Sequence, residues 1–295
     1  MIKGDEMLKR ISKSSHYKYS ISLLLFGTLV SSSLSAAFAT ELEIDMADLP
    51  ARDQQKLQRW ILSGKTAVEL SLGKLPGKSI KFELVMKPSA NEPVPFAQVI
   101  RGGTNTIRLQ VNSEWPLQDF VDDWTLYHEL SHLYIPYLDY PSFWLNEGFA
   151  TYMQNIVMLQ NKVIDKDGFI NILQAGFNRG RLNTISQPGQ LSMVSNDMWR
   201  KHAYMRVYWS GAAYFAEVDA LLLQRGSSLS QVVAQYSQCC LTANSTGSEL
   251  TQKLDKIAGT NIFYSTYVQY AKRTDFPLVP LEQLQAMALH YGVKP

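Results

Sequence analysis

Apolar residues recur at helical spacing between positions 51 and 72, at Leu57, Trp60, Ile61, Ala67, Val68 and Leu70, and predict one amphipathic helix. Pro76-Gly77 ends it. Three strand-like runs follow, over 79–86, 95–101 and 105–111. The first alternates Ile80, Phe82, Leu84 and Met86, and the third alternates Ile107, Leu109 and Val111, as half-buried strands do. Gly102-Gly103 predicts a tight turn between the second and third. From Pro116 onward the period turns helical, with helices predicted over 117–135, 142–160, 167–177, 203–224, 228–240, 248–258, 261–272 and 281–290. The stretch 178–200 carries Gly, Pro and Asn and predicts a long loop. The outline is α+β: a small mixed or antiparallel N-terminal sheet with one helix before it, then a mostly helical C-terminal half.

Before residue 40 the pattern differs. Lys3, Lys9, Arg10, Lys13 and Lys18 precede an apolar run over 21–30, and a small-residue stretch ends in Ala37-Phe38-Ala39. That order is the order of a secretory signal, so residues 1–39 are expected to be a signal peptide and residues 40–295 an exported protein, periplasmic or secreted. The apolar core is about half the roughly 20 residues a spanning helix needs. No other run approaches that length, so no membrane span is expected after signal removal.

Composition then changes its meaning. The chain has 28 Lys+Arg against 26 Asp+Glu, a net charge of +2. Five of those basic and two of those acidic residues lie before residue 40, leaving 23 and 24 and a net charge of −1. A near-neutral mature chain gives no argument for nucleic acid as a partner. At 46% hydrophobic and 18% charged it is neither a disordered tail nor a disulfide-stapled miniature. Its two cysteines, Cys239 and Cys240, are adjacent at a predicted helix end, where pairing needs a strained ring, and are expected to be one buried and one incidental residue rather than redox-active.

Chemistry concentrates at residues 128–132, His-Glu-Leu-Ser-His. On a helix, His128 and His132 stand one turn apart on one face, so both imidazoles reach one metal ion. Glu129 projects about 100° round from His128, within reach of a water to be activated there. A third ligand is offered by Glu147, fifteen residues after His132, or by Asp139, seven after it. Two antiparallel helices joined by the short loop between Pro136 and Pro141 would set Glu147 beside the His pair, which favours it over Asp139.

HELSH followed by WLNEGFATY resembles the gluzincin zinc metallopeptidases, of aminopeptidase N and peptidase MA-like type. A later segment, Val207-Tyr208-Trp209-Ser210-Gly211-Ala212, is similar to that family's V-Y-x-K-G-A. The resemblance implies a zincin-type fold over 40–295, with a sheet-containing part (40–135) bearing the zinc helix and a helical part (136–295). It implies one Zn2+ per chain on His128, His132 and Glu147, Glu129 as general base, Tyr208 as oxyanion stabiliser, and a peptide or protein substrate. Two departures qualify it. Fourteen residues separate His132 from Glu147, where aminopeptidase N-type enzymes usually have eighteen. The stretch from Arg101 to Ile107 also lacks the carboxylate of the family's G-x-M-E-N element, so strict aminopeptidase action is not expected. The 105–111 strand is the expected edge strand for an extended substrate.

Thr151, four residues after Glu147, is a candidate to hold a zinc histidine, and His202 a candidate to contact substrate. Asp122 and Asp123 read as helix N-terminal charges. The aromatic runs around 124–127, 134–140 and 204–209 read as core and cleft wall. Against the peptidase stand two other readings: a catalytically silent zinc-binding envelope protein that keeps the fold for protein binding, and an accidental pattern within a helical envelope protein.

Overall fold

The computed structural model describes residues 40–46 and 49–293. The expected signal segment, 1–39, lies outside them. A short strand, β1 (Glu41–Asp45), opens the described chain, followed by helix α1 (Ala51–Leu72) and strands β2 (Ser79–Met86), β3 (Phe96–Ile100) and β4 (Asn105–Val111). They form one mixed sheet of order β1-β2-β4-β3, with β1, β2 and β4 parallel and β3 antiparallel to β4. β1 escaped the sequence reading because its alternation covers only Leu42 and Ile44. The sheet's order also corrects the expected edge. β4 is paired on both sides, and the outer strand beside residues 128–132 is β3.

Ile80 and Phe82 of β2 and Ile107, Leu109 and Val111 of β4 are buried, and join one core with Leu57, Trp60, Ile61 and Val68 of α1. The helix predicted over 117–135 is two helices, α2 (Leu117–Asp122) and α3 (Thr125–His132). Asp123 turns extended between them, and its Oδ1 accepts from the Thr125 amide at 2.8 Å, starting α3 afresh.

Beyond α3 lie β5 (Tyr137–Leu138), α4 (Phe143–Gln160), α5 (Lys166–Ser186), the short α6 (Leu191–Asn196) and α7 (Met198–Lys201), and α8 (Tyr204–Leu223). Then follow α9 (Leu229–Cys239), β6 (Asn244–Ser245), α10 (Gly247–Ala258), α11 (Ile262–Ala271) and α12 (Leu281–Tyr291). β5 and β6 make a separate two-stranded parallel pair. The expected loop over 178–200 is largely helical. α5 runs on through Gly180 because that glycine is a packing site: a Cβ there would stand 2.4 Å from the Phe276 ring and 2.7 Å from the Trp209 Cβ. Cys239 and Cys240 are joined in a disulfide at the end of α9, where one buried and one incidental residue were expected.

α4 is buried along its whole length except Gln160, which is why no amphipathic stripe marks it. It crosses α8 where Gly148 and Gly211 face each other. A Cβ on Gly148 would lie 2.2 Å from the Gly211 Cα, and one on Gly211 would lie 1.9 Å from the Trp144 carbonyl. Only hydrogen at both positions lets the two backbones meet. Among the described residues no helix is long and apolar enough to cross a membrane.

Candidate metal centre and cleft

α3 and α4 bring three donor atoms together. His128 Nε2 and His132 Nε2 are 3.2 Å apart, and Glu147 Oε2 lies 3.4 Å from the first and 3.7 Å from the second. All three residues are buried, and they form the one cluster among the described residues able to hold a metal ion. Asp139, the competing ligand, lies apart from the cluster, and its Oδ1 accepts from the Gly247 amide at 3.3 Å.

The short connection from α3 to α4 sets that geometry. Asn146 Nδ2 donates to the Pro136 carbonyl at 3.0 Å, fixing the first turn of α4 to the loop one residue before Glu147. The Trp144 amide donates to Ser195 Oγ, which in turn donates to the Tyr140 carbonyl, so a side chain from α6 satisfies an otherwise orphaned donor at the start of α4.

The donor chemistry fits a tetrahedral divalent ion. Bonds of about 2.0–2.1 Å put ligand atoms roughly 3.3 Å apart, close to the separations seen here. His128 Nδ1 donates to Gln154 Oε1 at 2.8 Å, which leaves the Nε2 lone pair facing the cluster. His132 Nδ1 is buried without a hydrogen-bond partner among the described residues, so Nε2 carries that ring's polar contact. Burial pushes His132 down to about 3, keeping it neutral. For Glu147 burial acts upward, but its interactions with the His132 and His128 imidazoles outweigh it and hold the carboxyl low. Burial would lower His128, yet Glu147 and Glu129 together raise it. The carboxylate thus demands positive charge between itself and the imidazoles, which a divalent cation supplies in full.

Around the cluster opens a cleft of about 550 Å³. Glu129 and Tyr208 line it with the three donors, and residues 95–99 form its wall on the sheet side. The Val99 backbone lies close to the Glu129 carboxyl, which burial raises to about 7. Since β3 pairs β4 along its other edge, Val99 turns its backbone toward the cleft, and alternation turns Ala97 the same way. Tyr208, in the second turn of α8, stacks at 6.3 Å on the His128 ring, and its hydroxyl interacts with Glu147. Burial and that carboxylate push the phenol far above its usual range, so it stays a hydrogen-bond donor.

Neither minor candidate is placed on the site. Thr151 Oγ1 is buried and makes no hydrogen bond among the described residues; the residue on His128 is Gln154, seven positions after Glu147 on the same face of α4. His202 is exposed in a left-handed conformation at the end of α7, outside the cleft. Trp124 and Tyr137 do line the cleft, while Tyr127 and Tyr134 belong to the core. Arg101, which sequence reasoning passed over, also lines the cleft, and nothing in its spacing singles it out.

The family model for the M61 glycyl aminopeptidases matches residues 136–215, a segment that holds Glu147 and Tyr208 but not the two histidines. Among solved structures, the chain is similar to an aminopeptidase N family protein from Idiomarina loihiensis (16% identity, TM-score 0.56, 83% of this chain and 45% of that one). It is similar also to native yeast LTA4 hydrolase (14%, TM-score 0.57, 78% and 37%) and to an M1 zinc metallopeptidase from Deinococcus radiodurans (16%, TM-score 0.51, 80% and 48%). The chain spans less than half the length of each of these structures. No curated protein matches the sequence. The fold is that of the zincin-type peptidases, and the family match supports the gluzincin resemblance.

Proposed function

We propose that this chain is an exported zinc-dependent peptidase of gluzincin type that hydrolyses internal or terminal peptide bonds without strict N-terminal selection. The observation that carries the reading is the convergence of His128, His132 and Glu147 on one point, with Glu129 and Tyr208 in the same cleft beside an open strand edge. Zinc held by the three donors supplies a Lewis acid that activates water and polarises a carbonyl near neutral pH.

The remaining work falls to the chain's own side chains. The open edge of β3 pairs with an extended substrate backbone through Ala97 and Val99, laying the scissile bond across the cluster. Glu129 accepts the proton of the attacking water at its carboxylate and returns it to the leaving amine. Tyr208 donates its hydroxyl hydrogen to the oxygen that gains charge. Gln154 keeps His128 in the tautomer that presents Nε2.

Cleavage of an unbiased peptide library by the purified protein tests this. A chelator is expected to abolish cleavage and added zinc to restore it. Tyr208→Phe is expected to keep the metal and lose roughly a hundred- to a thousandfold in kcat, as removal of an oxyanion donor does. Full kcat in the Tyr208→Phe variant would remove Tyr208 from the mechanism.

A further inference from the structure

Arg101 follows directly on β3, the strand that walls the cleft. Its Nη2 donates to the His132 carbonyl at 2.5 Å and the Ile135 carbonyl at 3.1 Å, tying the guanidinium to the end of the zinc helix. Among the described residues it donates to nothing else and pairs with no carboxylate, which leaves Nε and Nη1 open. An inward guanidinium without an acid is unusual, because removing that charge from water is costly unless something answers it. Here burial lowers the group to about 10, with Glu129 as the nearest opposing influence.

Beyond Arg101 the cleft adjoins a second hollow, also of about 550 Å³. Its wall carries Asn105, Ser237, Thr242 and Asn244 with Arg101, and no acidic residue. Arg101 borders both spaces and is the sole ionised group in the second. A peptide laid along β3 runs past this point.

We infer that Arg101 is a specificity residue that binds a carboxylate of the peptide substrate, its free Nη1 donating to a carboxylate oxygen where the cleft meets the second hollow. The inference rests on the peptidase reading and narrows its substrate class. A guanidinium tied at one nitrogen still offers a charged N–H donor to an anion from another. A free α-amino group arriving there would meet like charge. The carboxylate has two sources, an acidic side chain or the chain's own C-terminus, and the chemistry is the same for both.

The test uses two pairs of peptides, one differing in an internal Glu or Gln and one in a C-terminal acid or amide. Specific kcat/KM is measured for the wild type, Arg101→Gln and Arg101→Lys. The wild type is expected to prefer the carboxylate member of one pair by roughly ten- to a hundredfold, carried mainly in KM. The pair that responds identifies the source. In Arg101→Gln that ratio is expected to collapse toward one, and in Arg101→Lys to survive in part. A wild type indifferent to both pairs overturns the inference. So does a variant that loses turnover equally on charged and neutral members, since that is the signature of a residue that only ties two carbonyls. Anisotropy of labelled peptides on the zinc-loaded protein separates the two readings. Preferential binding without cleavage fails the peptidase reading and keeps Arg101; cleavage without preference does the reverse.

Discussion

Gln154 shows how much a single side chain decides at this centre. Its Oε1 holds His128 Nδ1 at 2.8 Å from the second turn beyond Glu147, so one helix supplies both a donor and the group that aims another. Gln154→Leu is expected to weaken zinc affinity by roughly ten- to a hundredfold, read by competition with a chromogenic chelator. Unchanged affinity would mean that packing alone orients the ring. His128, Glu129, His132 and Glu147 were legible in the sequence because metal chemistry imposes residue type and spacing together. Gln154 and Arg101 were not, because a hydrogen-bonded neighbour needs only an acceptor or donor at the right place. Thr151 was as reasonable from spacing as Gln154, and its shorter side chain leaves Oγ1 without a partner.

At the scale of elements the centre depends on how closely α4 and α8 approach. Gly148 and Gly211 meet there, and Tyr208 lies one turn before Gly211 on α8. Gly211→Ala places a methyl against the Trp144 carbonyl and must push the helices apart. The expected outcome is a loss of about 1–3 kcal/mol in denaturant unfolding, together with reduced activity as Tyr208 retreats from Glu147. A variant of wild-type stability and activity would show that the crossing is slack. Such contacts explain which elements the pattern predicted well. Strands β2 and β4 and the capped helix α10, with its Thr246 and Glu249 capping box, declare themselves through local alternation and end signals. α5 does not: Gly180 reads as a breaker, yet it sits against Trp209 and Phe276, contacts made with residues far along the chain. Likewise the order β1-β2-β4-β3 depends on long-range pairing, and so the edge strand was misread.

Over the whole molecule, the sheet, α3, α4 and α8 converge on one cleft. The sheet contributes an open backbone edge at Ala97 and Val99, α3 the two histidines and Glu129, α4 the Glu147 carboxylate, and α8 the Tyr208 hydroxyl. The α+β class and the peptidase-like outline followed from the sequence, since the change of period near Pro116 is strong and HELSH is compact. The cleft's charge did not, because it depends on which polar groups lie unpaired in three dimensions. The proposed reaction needs zinc on this arrangement and Glu129 to take the proton of the attacking water. Peptide-library cleavage by the wild type and Glu129→Gln, each assayed at measured zinc content, tests both together. One zinc per chain is expected in both, with cleavage by the wild type and none above blank in the variant. Equal cleavage by Glu129→Gln, or no cleavage by a wild type carrying its zinc, would contradict the proposed reaction.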